Sequence, residues 1–333
     1  MLDLAEEVLP TPSKTNQTAS IPVQSTGNWK PRTARRSRAA PAHHRSIDKG
    51  IAVSLEPSLP SSTQTSTKKT VAQTPKQTAI VTGGAGGLGS AICDRLARLG
   101  YGIVVADMNS ESADKVATGL PEVAGTEHRG FAGDLTDSAV NRELAVFAGA
   151  GGPIGAVVNA VGISPKRNGR KIPFTELTDE EWHRVMAVNV AAPFFLIREV
   201  CPFMPADGSA SIVNLLSITA KLGAGGVEGA DFPPYLPSSI AYAASKAALQ
   251  NLTASLSREL AGQRIRVNGV APGFVQTPML GEVIADGSLL SQVPMKRFAQ
   301  PKEIADAVAF LVSEQASYIT GTSLDINGGW LTC

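Results

Sequence analysis

A cluster of glycines separates a short apolar run from an amphipathic segment near residue 80. The turn reads Thr82-Gly83-Gly84-Ala85-Gly86-Gly87-Leu88-Gly89. The run before it, 78–81, is typical of a buried strand, and 88–99 carries apolar residues at helical spacing. Glycines let backbone N–H groups approach a ligand, and a helix N-terminus adds partial positive charge. The combination predicts a strand, a phosphate-binding turn and a helix, which together form a dinucleotide-binding unit.

The alternation of apolar runs and helical segments continues to the end of the chain. Further strands are expected at 103–106, 156–158, 211–216, 266–270 and 323–326, and helices at 180–204, 242–261 and 302–312. The strand segments are nearly continuous runs of Val, Ile and Ala, as expected for strands buried on both faces. We therefore expect an α/β fold of the Rossmann type, a doubly wound parallel sheet with helices on both faces.

Residues 1–77 differ in composition from the rest of the chain. They contain 11 Lys and Arg against 5 Asp and Glu, and they are rich in Ser, Thr, Pro and Gln. Such a segment buries too little apolar surface to offset the entropy lost on ordering. We expect a disordered polar and basic extension over 1–77 and a single folded domain over 78–333. The extension is interpreted as a dispensable tail, with a targeting peptide or an upstream start codon that is not used as the alternatives.

Composition argues against several classes of partner. The formal net charge of +1 gives no support for nucleic-acid binding. The three cysteines, Cys93, Cys201 and Cys333, are widely spaced, so neither a disulfide framework nor a metal site is expected. No apolar run is expected to reach the roughly 18–20 residues of a membrane span. We expect a cytoplasmic protein that binds no metal, nucleic acid or membrane.

A carboxylate ends the second predicted strand. Asp107 lies close to the interval after the glycine turn at which an acidic residue accepts hydrogen bonds from the adenosine ribose of a dinucleotide. The same charge repels a 2′-phosphate, and the neighbouring Met108 and Asn109 supply no cation. The expected cofactor is therefore NAD, with NADP less favoured.

Tyr242 and Lys246 form a candidate proton-transfer pair. Among the four tyrosines, only Tyr242 has a Lys four positions later, a spacing that puts both side chains on one helical face. A free phenol has a pKa of about 10, too high for a base near neutrality. A nearby ammonium and a positively charged nicotinamide both favour the phenolate, so we expect a lowered pKa for Tyr242.

These segments together resemble the short-chain dehydrogenase/reductase family over residues 78–333. The matching positions are Thr82, Gly83, Gly87 and Gly89 in the glycine motif, Asp134-Leu135 after a third strand, Asn159-Ala160-Val161-Gly162, Asn189, Pro272-Gly273-Phe274-Val275-Gln276-Thr277, and the ending 319–329. One departure is Ala160, where the family has a second Asn that supports the sheet, and we expect only a small local change. The resemblance implies a homotetramer packed through helices 180–204 and 242–261.

The resemblance also implies roles for individual residues. The implied catalytic residues are Asn189, Ser217, Tyr242 and Lys246. Ser217 is expected to hydrogen-bond the substrate oxygen, and Asn189 to hold a water that links Lys246 to solvent. Together with Asp107, the expected cofactor contacts are Gly83, Gly87, Leu88, Gly89, Asp134, Leu135, Asn159, Gly162, Tyr242, Lys246, Pro272, Gly273, Val275 and Thr277. Asp134 is expected at the adenine, and the 272–277 loop at the nicotinamide carboxamide.

Two loops are candidates for the substrate side, and a third is a candidate lid over the cofactor. Ser217 and Tyr242 lie 25 positions apart, about twice the family's usual gap, which predicts an inserted loop within 221–239. This loop either shapes substrate entry, with Phe232 and Tyr235 as candidate contacts, or is a harmless surface insertion. Residues 163–173 are interpreted as a solvated basic loop, with an anionic-substrate site as the alternative. Residues 278–294 are expected to form a mobile lid.

The function favoured by these observations is an NAD-linked oxidoreductase that interconverts a secondary alcohol and a ketone, with a small-molecule substrate. One alternative is 3-oxoacyl-carrier-protein reduction, which Asp107 disfavours because those reductases usually use NADPH. Another is a non-catalytic nucleotide-binding sensor or scaffold. The complete set of Asn189, Ser217, Tyr242 and Lys246 argues against that alternative.

Overall fold

The computed structural model describes residues 77–123, 125–224, 238–279 and 288–332. The predicted extension over 1–77 lies outside these residues apart from Gln77. Residues 225–237 of the predicted insertion, with Phe232 and Tyr235, and 280–287 of the predicted lid also lie outside them.

The described part of the chain has nine strands, and seven of them form a central parallel sheet. In chain order the strands are β1 Thr78–Thr82, β2 Gly102–Asp107, β3 Arg129–Ala132, β4 Ile154–Asn159, β5 Lys166–Arg167, β6 Arg170–Lys171, β7 Ser211–Leu215, β8 Arg266–Pro272 and β9 Ser323–Ile326. The large sheet has the order β3-β2-β1-β4-β7-β8-β9, and each neighbouring pair is parallel. The short strands β5 and β6 form a separate antiparallel hairpin.

Helices cover both faces of this sheet. They are α1 Gly87–Ala97, α2 Ser110–Gly119, α3 Ser138–Gly149, α4 Asp179–Met186, α5 Ala192–Val200, α6 Ile240–Glu259, α7 Ser288–Gln292 and α8 Pro301–Val312. Successive residues of β1 point to opposite faces, so Val81 packs in one apolar cluster and Ile80 in the other. The first cluster includes Ile92 of α1, and the second includes Leu196 of α5. This arrangement confirms the predicted α/β fold of the Rossmann type.

Four elements differ from the expected pattern. The helices α2 and α3 and the strand β3 were not located by periodicity. The predicted helix over 180–204 is divided by a π-helical turn, Ala187–Ala191, in which the N–H of Ala192 bonds the carbonyl of Ala187. A π turn changes the direction of a helix and occurs often at functional sites. Asn189, the residue expected to bend this helix, lies in that turn.

The helical stretch Asp179–Phe203 is long and apolar enough to cross a membrane by length and composition. This corrects the expectation that the sequence holds no such run. In the fold, α5 packs against α3, and its residues Ala192, Leu196 and Ile197 are buried in the second apolar cluster. The apolar composition of α5 is therefore that of a helix packed in a protein core.

Candidate active site

The carboxyl ends of the central strands open into a cleft. Its empty space, including the open mouth, is about 970 Å³. Apolar side chains such as Leu216, Phe274 and Val275 form much of its wall, and Ser217, Tyr242 and Lys246 also reach it. The strand order reverses between β1 and β4, where doubly wound sheets bind their ligands. An apolar cleft with a few converging polar groups suits a small molecule.

The glycine turn has room for backbone contact with a ligand. Gly83 has a positive φ of 61°, and a Cβ added there would come within 3.0 Å of the Cα of Val161. A Cβ on Gly89 would overlap the carbonyl of Gly83, so α1 begins directly against the turn. The N-cap Gly86 makes no side-chain cap bond, and the first turn of α1 has no acidic residue. This helix N-terminus therefore fits the pyrophosphate of a dinucleotide.

The carboxylate of Asp107 lies beside this turn. Oδ2 accepts a hydrogen bond from the Ala85 N–H at 3.1 Å, and Oδ1 accepts one from the Met108 N–H at 2.8 Å. These bonds hold the carboxylate at the end of β2. A ribose hydroxyl next to the turn would find an acceptor there, whereas a 2′-phosphate would meet a negative charge.

Asp134 and Leu135 follow the adjacent strand β3. Asp107 in β2 pairs with Ala132 in β3, so both acidic residues lie at the same edge of the sheet. The Asp134 carboxylate accepts bonds from the N–H and the hydroxyl of Thr136, at 2.9 and 2.7 Å, and these bonds lower its pKa. Leu135 is buried. This edge is where the sequence predicts the adenosine half of the cofactor.

Tyr242 and Lys246 lie in the first two turns of α6. The side chain of Ser239 caps this helix by accepting a bond from the Tyr242 N–H at 3.3 Å. The Lys246 Nζ lies 5.7 Å from the centre of the Tyr242 ring. Ser217, just after β7, hydrogen-bonds the Tyr242 phenol with its hydroxyl. The fold therefore brings three of the four predicted catalytic side chains together in the cleft.

Burial dominates the acid–base behaviour of this group. It raises the pKa of Tyr242, and the hydrogen bond with Ser217 opposes that rise only in part. Burial also lowers the pKa of Lys246 to about 8, while its Nζ donates to the Leu215 carbonyl at 2.6 Å. The expected lowering of the phenol pKa is therefore not produced by the protein groups. Two buried groups lose solvation together, and the ammonium is directed at a carbonyl.

Asn189 is fully buried in the π turn. Its Oδ1 accepts from the Ile163 N–H, and its Nδ2 donates both to the Ile163 carbonyl and, at 2.9 Å, to the Ser245 hydroxyl. The Ser245 hydroxyl in turn donates to the Tyr242 carbonyl at 2.7 Å. Asn189 therefore links the segment after β4 to α6. Sequence reasoning missed Ser245, whose only signal was its place just before Lys246.

Asn159 and Gly162, at the end of β4, lie in different surroundings. The buried Asn159 donates to the Oδ1 of Asn214 at 2.8 Å, and Asn214 donates to Thr253 on α6. The Asn159 side chain thus joins β4, β7 and α6 and does not line the cleft. Gly162 does line it, and a Cβ there would come within 3.3 Å of the Lys246 Nζ. The cofactor contact expected of Asn159 remains a prediction.

The segment after β8 forms another wall of the cleft, to which Pro272, Gly273, Val275 and Thr277 contribute. Val275 forms a bridge with Ala299 that holds this loop. A Cβ added to Gly87 would lie 3.6 Å from the Thr277 Cβ, so the loop approaches the glycine turn. One ligand can therefore touch the turn and the loop together, as the predicted cofactor contacts require.

The cleft also includes residues that sequence reasoning did not single out. Ser164 and Ser238 line it, and neither has a motif that marks it. Lys166 lines it too, although it was considered only as one of several basic residues in 163–173. Its neighbour Arg167 instead bonds the carboxylates of Glu176 and Glu181. The sequence pattern does not show which of these two side chains reaches the cleft, because the β5–β6 hairpin determines where each side chain points.

Known proteins resemble this chain over the part that carries the cleft. A family model described as enoyl-(acyl carrier protein) reductase matches residues 83–331. The 3-oxoacyl-[acyl-carrier-protein] reductase of Thermotoga maritima is 32% identical over 260 residues, covering 75% of this chain and 96% of the relative. The 4-formylbenzenesulfonate dehydrogenase of Comamonas testosteroni is 36% identical over 263 residues, covering 76% and 97%.

A solved structure agrees with these relatives. The short-chain dehydrogenase/reductase of Brucella melitensis, described as a glucose/ribitol dehydrogenase, superposes with a TM-score of 0.68 at 32% identity, over 77% of this chain and 97% of that one. The chain is thus an oxidoreductase that interconverts an alcohol and a carbonyl compound with a nicotinamide cofactor, NAD or NADP. It belongs to the short-chain dehydrogenase/reductase family.

Proposed function

We propose that this enzyme uses NAD to interconvert a secondary alcohol and a ketone, with Tyr242 as the proton-transfer residue. The observation that carries the proposal is the meeting of Ser217, Tyr242 and Lys246 in one cleft, between the glycine turn and the loop after β8. A proton donor beside a carbonyl oxygen and a second hydrogen bond to that oxygen are what ketone reduction requires.

The preference for NAD rests on Asp107. Its carboxylate is held beside the glycine turn by backbone N–H groups, where it can accept bonds from ribose hydroxyls. A 2′-phosphate at the same place would be repelled. Gly83, Gly87, Leu88 and Gly89 would hold the pyrophosphate, Asp134 and Leu135 the adenine side, and Pro272, Gly273, Val275 and Thr277 the nicotinamide carboxamide.

The cofactor supplies or accepts the hydride when bound, and the protein groups handle the oxygen. Ser217 bonds the substrate oxygen and orients it toward the phenol. Tyr242 gives its phenolic proton to that oxygen in reduction and takes a proton from it in oxidation. Because burial raises the phenol pKa in the protein alone, the positive charges of Lys246 and of oxidised nicotinamide must together stabilise the phenolate.

In this proposal Asn189 is a positioning residue, which holds the segment after β4 against α6. Both polar atoms of its side-chain amide are bonded to Ile163 and Ser245. A water that links Lys246 to solvent would therefore bond main-chain atoms of the π turn, where the i→i+5 pattern alters the partners of the carbonyls.

A second candidate reaction is the reduction of a 3-oxoacyl group on acyl-carrier protein. The Thermotoga relative carries that activity in its name, and the matching family model is described by acyl-carrier-protein chemistry. The carboxylate of Asp107 argues for the first candidate because those reductases usually use NADPH. A comparison of kcat/KM with NAD(H) and NADP(H) separates the two.

We also propose a homotetramer packed through α4, α5 and α6. Large apolar side chains on or beside these helices are partly exposed, namely Trp182, Phe194, Phe203 and Ile240. Subunit contacts would cover them. Light scattering of the full chain tests the assembly, and a monomer would contradict it.

The test of the reaction is turnover of secondary alcohols and ketones by the full chain, followed through NADH absorbance. We expect Tyr242→Phe to lower turnover by roughly 100-fold or more, with NADH binding retained as measured by fluorescence. Tyr318→Phe, at a fully exposed tyrosine, is the matched control and should leave turnover unchanged. Turnover retained in Tyr242→Phe would contradict the mechanism.

A further inference from the structure

The cleft contains a cation that the proposed reaction does not use. Lys166, in β5, lines the same cleft as Tyr242 and Ser217. Its Nζ donates to the carbonyl of Met279 at 3.1 Å, and Met279 also lines the cleft. The Lys166 side chain therefore extends over the space where a substrate would lie, while Arg167 bonds acidic residues elsewhere.

The charge of the cleft has one sign along its described lining. Lys166 and Lys246 are the charged side chains there, and both are cations. Lys246 is directed at the Leu215 carbonyl, close to the catalytic phenol. Burial lowers the pKa of Lys166, because part of its solvation is lost. An anionic group on a ligand that reaches the Lys166 ammonium would form a charge-assisted hydrogen bond with it.

A second donor lies close to Lys166 in the chain. Ser164 lines the cleft, and its hydroxyl is buried with no hydrogen-bond partner among the described residues. A buried hydroxyl without a partner is costly, and a ligand oxygen that bonds it removes that cost. Both side chains line the cleft two positions apart in the chain, so Ser164 and Lys166 can face one group.

The geometry points to an oxyanion subsite formed by Lys166 and Ser164. The inference rests on the proposed reaction at Tyr242 and specifies its substrate: a secondary alcohol or ketone that carries a carboxylate or a sulfonate away from the reacting carbon. The Lys166 ammonium forms a charge-assisted bond to that group, and the Ser164 hydroxyl adds a directed donor. Selection among alcohols then depends on the anion, and the apolar wall accepts the carbon skeleton between the two ends.

The test compares cyclic secondary alcohols that carry a carboxylate, a sulfonate or an uncharged carboxamide at the same ring position. Wild-type enzyme should prefer an anionic member, and the two anions identify which oxyanion fits. Lys166→Met should reduce that preference, measured as the kcat/KM ratio of anion to carboxamide, by about 10- to 100-fold. Ser164→Ala should reduce it by a smaller factor.

Lys171→Met is the matched control. Lys171 pairs with Lys166 across the hairpin but does not line the cleft, so the same change of charge should leave the preference unaltered. If Lys166→Met and Lys171→Met lose the anion preference equally, the preference comes from the overall positive charge of the region. That result would overturn the subsite. A weaker affinity for NADH in Lys166→Met with the anion preference intact would mean that the lysine only holds the segment at Met279, which also overturns it.

Calorimetric titration of the NADH-loaded enzyme with a non-reacting cyclic carboxylate gives a readout independent of turnover. Tighter binding of the carboxylate than of its carboxamide, weakened by Lys166→Met, supports the subsite even if no alcohol reacts, and in that case the proposed reaction alone is wrong. Equal binding of carboxylate and carboxamide contradicts the subsite and leaves the test at Tyr242 untouched.

Discussion

The side chain of Asn189 holds both backbone polar groups of Ile163. Its Oδ1 accepts from the Ile163 N–H at 2.8 Å, and its Nδ2 donates to the Ile163 carbonyl at 3.0 Å. The amide thus pairs with the main chain much as a neighbouring strand does. Because Ser164 and Lys166 follow directly, the buried π turn supports both α6, which carries Tyr242, and the wall of the cleft that Ser164 and Lys166 line.

Asn189→Ala should destabilise the fold as well as the site. It leaves the N–H and carbonyl of Ile163 without their partner, and the Ser245 hydroxyl keeps only its bond to the Tyr242 carbonyl. Buried unpaired groups cost about 1–3 kcal/mol each, not additively. We expect the free energy of unfolding in urea to fall by about 2–4 kcal/mol. The exposed Asn251→Ala on α6 should change it by less than about 0.5 kcal/mol. A similar small change at Asn189 would contradict this role.

Ser217→Ala should move the pH dependence of alcohol oxidation. The Ser217 hydroxyl lowers the pKa of Tyr242, so its removal raises that pKa further. The rising limb of kcat/KM with NAD should shift to higher pH, and kcat should fall by about 100-fold or more, as for the loss of an oxyanion donor. Ser217→Thr keeps the hydroxyl and should restore the limb. An unshifted limb in Ser217→Ala would show that the hydroxyl does not act on the phenol.

Asp107→Ser should change the choice of cofactor. The substitution removes the charge that repels a 2′-phosphate but keeps a hydroxyl for the ribose. We expect the ratio of kcat/KM for NAD to that for NADP to fall by about 10- to 100-fold. Asp114→Ser on α2, which removes an exposed carboxylate away from the turn, is the control. If Asp107→Ser leaves the ratio as in wild type, the preference has another source.

The sheet could be predicted from sequence where burial is complete. β1 and β4 are buried along their whole length, and their runs of apolar residues predict them as strands. β3 is an edge strand of partly buried residues, so no apolar run marks it. α2 buries only Ala113 and Ala117, which leaves almost no apolar stripe to detect. The apolar pattern therefore does not predict β3 and α2, because few of their residues are buried and contacts with neighbouring elements determine their structure.

The meeting of three predicted side chains in one cleft could be expected from the sequence, but their electrostatics could not. Spacing and family resemblance located Ser217, Tyr242 and Lys246, and the fold brings them together. The direction of the Tyr242 pKa shift depends on how deeply both partners are buried, which spacing does not encode. The place of Lys166 in the cleft depends on the turn of a two-strand hairpin.

Lys246→Met should remove a pH dependence of stability. The pKa of Lys246 is about 8 in the folded enzyme against 10.5 ordinarily, so between these values the unfolded chain binds more protons and stability rises with pH. The shift corresponds to a gain of up to about 3 kcal/mol across that window. Lys246→Met does not titrate, so its free energy of unfolding relative to wild type should fall by that amount from pH 8 to 10.5, measured in urea. The exposed Lys115→Met should parallel wild type. A parallel course for Lys246→Met would show that the buried ammonium has no depressed pKa.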